Sequence, residues 1–263
     1  MIRPFISIWY RRVVRQAVFY LLLFVVWQCI FYLGTSVLGW WKPYAFPNPL
    51  GVWQSLVRMV QQNLLFTAVS YSLRRAFVGF FLAIIIGTAS GLALARFQEL
   101  SATMNPLILG VQSLPSVCWV PFAILWFGLT ERSILFVVIM GSAFSISIAV
   151  ESAIRNVNPL YIKAARTMGA KGRTLYFRVI LPASLPALIT GFKQGWSFAW
   201  RALMSAEVMS ATIGLGQTLM MGRDLADINR VMLVILIIIM IGVLIEKLVF
   251  STTEERVLKR IGL

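Results

Sequence analysis

Two uninterrupted apolar stretches, residues 76–95 and 231–245, most constrain what this chain can fold into. A bilayer hydrocarbon core of about 30 Å is crossed by about 20 apolar residues in a helix, and both stretches come close to that length. In lipid every backbone N–H and C=O must be satisfied within the protein, which leaves helices or a closed barrel. Barrel strands alternate apolar and polar residues over about ten positions. These runs do not alternate, so the expected fold class is an all-α membrane protein. Composition agrees: 59% of the 263 residues are hydrophobic, against about 45–50% apolar in an ordinary soluble domain.

Hydropathy predicts about six transmembrane helices, at 16–38, 74–95, 107–128, 133–153, 185–206 and 230–250, with the third interrupted by Pro115 and Pro121. Arg11, Arg12 and Arg15 precede an apolar run at 17–31 that superficially suggests a signal peptide. The run is too long for that and no small-x-small site closes it, so a retained first span is expected. Residues 47–61 open on Pro47, Asn48 and Pro49 and then place Val52, Leu56, Met59 and Val60 at helical spacing, predicting an amphipathic helix on the outer surface. Residues 213–221, opened by Gly214 and Gly216, predict a short external or re-entrant helix. Ala83, Gly87, Gly91 and Ala95 put a small residue at every fourth position of the second span, a face that lets helix backbones approach closely.

The formal net charge is +15, without a histidine. In a soluble chain such an excess would suggest nucleic acid, but no basic helix or aromatic platform lies outside the apolar spans, so no nucleic-acid partner is expected. The placement of the cations explains the excess instead. Arg3, Arg11, Arg12 and Arg15 precede the first span; Arg155, Lys163, Arg166, Lys171, Arg173 and Arg178 fill the loop after the fourth; Arg256, Lys259 and Arg260 follow the sixth. An even number of spans puts all three groups on one side, and the excess of Lys and Arg on cytoplasmic loops makes that side the inside. The opposite loops hold Lys42, Arg58, Arg132, Arg223 and Arg230, partly offset by Glu131, Asp224 and Asp227. The expectation is one transmembrane domain over 1–263, with residues 1–15, 158–182 and 251–263 cytoplasmic.

Cys29 and Cys118 lack metal-ligand or C-x-x-C spacing and read as small core residues, so neither a metal site nor a redox pair is expected. Without histidine, and without a metal or nucleophile cluster, no catalytic residue is expected either. Charges inside spans are costly and usually face a cavity or a partner. Arg74, Arg75, Lys193, Arg201 and Glu207 are the candidates for a translocation path, with Lys193 and Arg201 about 12 Å apart along one helix. A cationic lining would suit an anionic substrate. The alternative is that end residues snorkel to headgroups, that Arg201 pairs with Glu207, that Glu246, beside Lys247 near the inner end of the sixth span, snorkels or is paired, and that Glu131 pairs with its neighbour Arg132.

The loop at 163–182 is the most specific stretch. Asn158 and Pro159 suit a helix start, Leu160, Ala164 and Thr167 or Met168 share a face, and Gly169 suits the left-handed conformation that ends a helix. Leu175, Val179 and Pro182 then lead into the membrane, giving a helix–turn–helix on the cytoplasmic surface. Lys163-Ala164-Ala165, Gly169, Val179, Leu181 and Pro182 resemble the signature of permease subunits of bacterial ABC importers, which reads Glu-Ala-Ala, three residues, Gly, nine residues, Ile-x-Leu-Pro. Lys163 stands in the place of the glutamate and Val179 in that of the isoleucine. The resemblance covers nearly the whole chain and is nearest to the sulfonate, taurine, nitrate and bicarbonate branch. Its strings here are Ser72-Leu-Arg-Arg-Ala-Phe-Val-Gly-Phe80, Pro121-Phe-Ala-Ile-Leu-Trp-Phe-Gly-Leu-Thr-Glu131, Ala199-Trp200-Arg201 with Ala206-Glu207, and Gly214-Leu-Gly216. Asn229 stands where that branch usually has an aspartate.

The resemblance implies a type I ABC importer permease fold with a cytoplasmic coupling helix. The loop residues named above would dock on a separate ATPase, which binds ATP and Mg; this chain would hold no cofactor itself. It also implies a second permease copy, an extracytoplasmic substrate-binding protein, a lipid surround in the bacterial inner membrane, and transport of a small anion by alternating access. Gly169-Ala-Lys-Gly-Arg-Thr only superficially resembles a phosphate-binding loop, with the wrong spacing. A secondary transporter or channel, independent of ATP, is the alternative; it would need paired broken helices or an internal repeat, and neither is found.

Overall fold

The computed structural model describes residues 3–42 and 45–261, with backbone alone for 3–13, 17 and 258–261. The expected roles of the Arg3, Arg11, Arg12, Lys259 and Arg260 side chains therefore lie outside the described residues. All regular structure among the described residues is helical. Among the described residues five helices are long and apolar enough to cross a membrane, or six if one bent pair counts as a single span. The fold class read from the apolar runs is the one observed.

The chain forms two compact units, Met1–Leu65 with Thr218–Leu236, and Phe66–Gln217 with Ile237–Leu263. In the first, helix α1 (Arg3–Tyr32) widens into a π turn at Leu33–Val37. Its apolar side chains face outward, as a span in lipid requires: Leu21, Leu22, Leu23 and Phe24 are all exposed. The Trp27 indole N–H donates to the Pro47 carbonyl at 3.0 Å, fixing the segment that enters α2 (Pro49–Gln61). Asn48 caps α2 by accepting the Leu50 N–H at 3.1 Å. Its own N–H donates to Asn229 Oδ1 at 2.9 Å, so the amide at position 229 serves as a tether for α2. The buried face of α2 is Val52, Ser55 and Met59; the expected stripe is rotated slightly, leaving Val60 exposed.

In the second unit α3 (Leu64–Arg96) packs on α6 (Glu131–Arg155). A side chain at Gly87 would stand 2.7 Å from the Ala143 carbonyl oxygen, and one at Gly91 2.5 Å from that of Ser147. The predicted small-residue stripe is this seam, and Gly79 against Val138 extends it by one turn. Between the glycines Ser90 Oγ donates to Ser147 Oγ at 3.1 Å. Helix α3 extends at its N-terminal end beyond the expected span of 74–95.

The third expected span is not straight. Helix α4 (Gln98–Gln112) and the segment Ser116–Phe127, which contains α5 (Trp119–Phe127), meet at 91°. Pro115 lacks an N–H and disfavours helical backbone at Leu114, so the break falls there. Pro121 does not interrupt: it lies in the first turn of α5, where no N–H is needed. Gly128, at φ 69°, ends α5.

Helix α7 (Pro159–Thr167) opens on the Asn158 cap, which accepts the Leu160 N–H at 2.9 Å, and closes on Gly169 at φ +88°, as its residues predict. Helix α8 (Gly172–Leu175) then runs through a π turn at Tyr176–Ile180 directly into α9 (Leu181–Val208). The second short element is thus continuous with the fifth span. The widened turn lies just before Pro182, which has no N–H to give. Helix α10 (Leu215–Asp224) is the short helix expected near 213–221, and α11 (Ile228–Ile245) continues through a π turn into α12 (Thr252–Ile261). Cys29 and Cys118 are both exposed, not core residues, because the apolar segments that carry them face outward.

Candidate functional site

Three places gather the residues singled out by the sequence. The first is a buried ionic cluster around Glu207, near the end of α9. Glu207 is fully buried, and Arg75 on α3 is 3% exposed, a burial that only a paired charge tolerates. Arg75 Nη1 donates to Glu207 Oε1 at 3.0 Å and to the Ile213 carbonyl at 2.7 Å, while its Nη2 reaches Glu131 Oε1 at 3.1 Å. Ser72, one turn before Arg75, donates to Glu207 Oε2 at 2.7 Å and accepts the Leu215 N–H at 2.8 Å. The Gly216 N–H donates to Glu207 Oε2 at 3.0 Å. A side chain at Gly214 or Gly216 would come within 2.6 Å of Glu207, so this close approach requires glycine at both positions.

Arg74 pairs with Glu131 at 2.5 Å at the exposed edge of the same cluster. The sequence-level alternatives for these charges therefore need correction. Glu131 pairs across helices with Arg74 and Arg75 and not with its neighbour Arg132, and Glu207 pairs with Arg75 and not with Arg201. Residues one position apart on a helix are about 100° apart around its axis and residues six apart about 120°, so neither pair shares a face.

The second place is a cavity of about 620 Å³ beside the Pro115 bend. Arg201 lines it with Gln112, Ser116, Ser205 and the apolar side chains Trp119, Met140, Phe144, Phe198, Trp200 and Met204. Arg201 Nε donates to the Ser197 carbonyl at 3.1 Å and its guanidinium lies over the Phe198 ring at 4.7 Å. Among the described residues Arg201 has no ion-pair partner. Gln112 Oε1 is buried without a hydrogen-bond partner among the described residues. Lys193, two turns before Arg201, is held by Glu246 at 3.3 Å, which also accounts for that acid. Of the five candidate path charges, then, the structure brings Arg74, Arg75 and Glu207 into one ionic network, pairs Lys193, and leaves Arg201 alone on a cavity wall.

The third place is the loop. Ala165 is buried and seats α7, while Lys163, Ala164 and Gly169 are exposed and Val179 and Leu181 are half-buried. Leu160, Tyr161 and Met168 are exposed apolar side chains on this same surface. Pro182 lies in the first turn of α9.

With this geometry in place, the comparison with known families is decisive. Residues 79–252 match the family model described as binding-protein-dependent transport system inner membrane component. The chain belongs to that family. The matched region contains the α3–α6 seam, Arg201, Glu207 and the whole loop, and begins just after Arg74 and Arg75. A putative ABC transporter permease protein of Methanocaldococcus jannaschii is 33% identical over 177 residues, 67% of this chain and 66% of that protein. The putative aliphatic sulfonates transport permease protein of Escherichia coli is 29% identical over 223 residues, 84% of this chain and 82% of that protein. Among solved structures the methionine ABC transporter MetNI, in an inward-facing conformation, superposes with a TM-score of 0.63 at 22% identity, covering 75% of this chain and 97% of that chain. That likeness concerns the fold.

Some residues of this permease escape a reading of the sequence. Glu151, buried near the other end of α6, accepts from Ser101 Oγ at 2.5 Å and pairs with Arg155 at 3.1 Å. Its signal was its position: an acid with Arg155 four residues later on a helix. Gln112 carried no signal, since nothing local marks an amide that faces a cavity.

Proposed function

We propose that this permease forms the path for a small anionic solute, driven by separate ATPase subunits, with Arg201 as the side chain that meets the anion. The observation that supports this reading is the unpaired guanidinium of Arg201 on the wall of the 620 Å³ cavity, in a membrane span where a lone charge is expensive. Arg74, Arg75, Lys193 and Glu207 hold the fold in this reading. The names of similar permeases, for aliphatic sulfonates and for taurine in Escherichia coli, suit an anion of the sulfonate type. Inward placement of both termini, a second copy facing this one, and delivery by an extracytoplasmic binding protein complete the assembly.

Arg201→Gln removes the charge and keeps hydrogen-bonding capacity. A hydrogen bond to a charged group contributes about 1.5–3 kcal/mol, so uptake is expected to fall about tenfold or more. Arg201→Lys should keep a substantial part of it. Uptake of labelled taurine into proteoliposomes holding the permease, its ATPase and its binding protein measures this, and full activity in Arg201→Gln would remove Arg201 from the path.

In the same reading α7 docks on the ATPase and passes nucleotide-driven closure to α6 and α9 as a rigid lever. Gly169 ends α7 at φ +88°, and a side chain there would meet no atom within 4 Å. Gly169→Leu therefore strains only the backbone, by about 1–2 kcal/mol, and redirects the chain at the end of α7. The expected result is a normally folded permease whose ATPase hydrolyses ATP with little transport. Transport per ATP equal to that of the parent protein would count against the lever.

A further inference from the structure

The loop between α6 and α9 carries positive charge that no acid among the described residues neutralises. From residue 152 to residue 206 there are eight Lys and Arg residues and no Asp or Glu. Arg155 is paired with Glu151 and Lys193 with Glu246. Lys163, Arg166, Lys171, Arg173 and Arg178 are all exposed, and none has an ion-pair partner among the described residues. Next to these cations the surface is apolar: Leu160 is 69% and Met168 87% exposed. Between α7 and α8 lies a hollow of about 340 Å³, lined by Arg166, Ala170, Lys171, Gly172 and Leu175, with a cation on either side.

Exposed apolar side chains ringed by charges of one sign make a recognisable interface: anchors that fill a floor, and a rim that selects the partner by its charge. Resting on the reading of α7 as the contact for the ATPase, we propose that the ATPase cleft receiving this loop is acidic. Its carboxylates face Lys163, Arg166 and Lys171 around an apolar floor that takes Met168 and Leu160. Lys163, where the importer signature has a carboxylate, then has its partner charge on the ATPase. An anionic lipid surface would also attract these cations, but it presents a layer to one face of a helix. The hollow between α7 and α8 is concave, and it has room for a protruding carboxylate side chain beside Arg166 and Lys171.

The test measures binding of the cognate ATPase to the permease in nanodiscs of neutral phosphatidylcholine. Lys163→Glu with Arg166→Glu is expected to weaken binding on the order of a hundredfold at low salt, and binding by the parent protein should weaken as ionic strength rises. Lys163→Gln with Arg166→Gln should weaken it less. Changing ATPase carboxylates to lysine one at a time should identify a position that restores binding to the charge-reversed permease.

Met168→Asp separates the two readings. If it abolishes binding while the charge reversal has no effect, the loop docks but the acidic cleft is refuted. If neither change matters, the docking itself is refuted. An effect of charge reversal that appears only when the nanodiscs contain anionic lipid would assign the cations to the membrane and overturn the proposal. The side chains involved are exposed, and an unchanged helical circular dichroism spectrum excludes misfolding as the cause.

Discussion

Glu207→Ala is expected to destabilise the permease by about 3–5 kcal/mol, the range seen when one partner of a buried ion pair is removed. The carboxylate accepts from Ser72, Arg75 and the Gly216 N–H, so its loss leaves three buried donors facing a void. Arg75 suffers most, because at 3% exposure it cannot turn to water, and among the described residues Glu131 is the one other acid it pairs with. Thermal unfolding in detergent, followed by the loss of monodisperse protein, measures the effect. Glu207→Gln keeps an oxygen for the hydrogen bonds and should fall between the two. Replacing Arg75 and Glu207 together by methionine should recover part of the loss, since no uncompensated charge then remains. A single Glu207→Ala variant as stable as the parent protein would refute the structural role given to this cluster.

The second large effect lies on the α3–α6 seam, where propensity and packing predict opposite signs. Glycine to alanine in an open helix position stabilises by about 1 kcal/mol. At Gly87 the added carbon would stand 2.7 Å from the Ala143 carbonyl oxygen and 2.7 Å from Ile146 Cβ, and backbone cannot yield as a flexible side chain does. Gly87→Ala should therefore destabilise, and Gly87→Val should cost about 3 kcal/mol or more, in the upper range for overpacking, because the helices must separate along the seam. The Ser90–Ser147 hydrogen bond would go with them. Gly110, in α4, has no atom within 4 Å of an added side chain, so Gly110→Ala serves as the control. It should be neutral or mildly stabilising. Equal behaviour of the two alanine variants in a thermal unfolding series would show that the seam is not closely packed.

Features written in local spacing were legible in the sequence. The apolar runs, the small-residue stripe, the Asn158 cap and the Gly169 terminus are all set by residues near one another along a single stretch of chain, and each is found where its pattern placed it. Features decided by distant residues were not. The break at Pro115 was expected from the sequence, but its 91° angle and the continuation of α5 through Pro121 were not, because hydropathy does not show where a proline falls within a turn. Charge pairing was the least accessible: Arg75, Glu131 and Glu207 are far apart in the chain, and adjacency suggested Arg132 and Arg201 as partners instead. Asn229 was visible only as the residue in an aspartate's place, whereas its contact with Asn48, 181 residues earlier, comes from the fold.

The Glu207 cluster joins four separate strings of the chain, at 72–75, at 131, at 207 and at 213–216. None of these strings is therefore an interchangeable module. A graft of residues 213–216 from a relative with a bulkier residue at position 214 or 216 would displace the carboxylate, and with it the arginine that holds α6. Chimeras and directed libraries built on this permease should treat the four strings as one cassette, exchanged together or left alone.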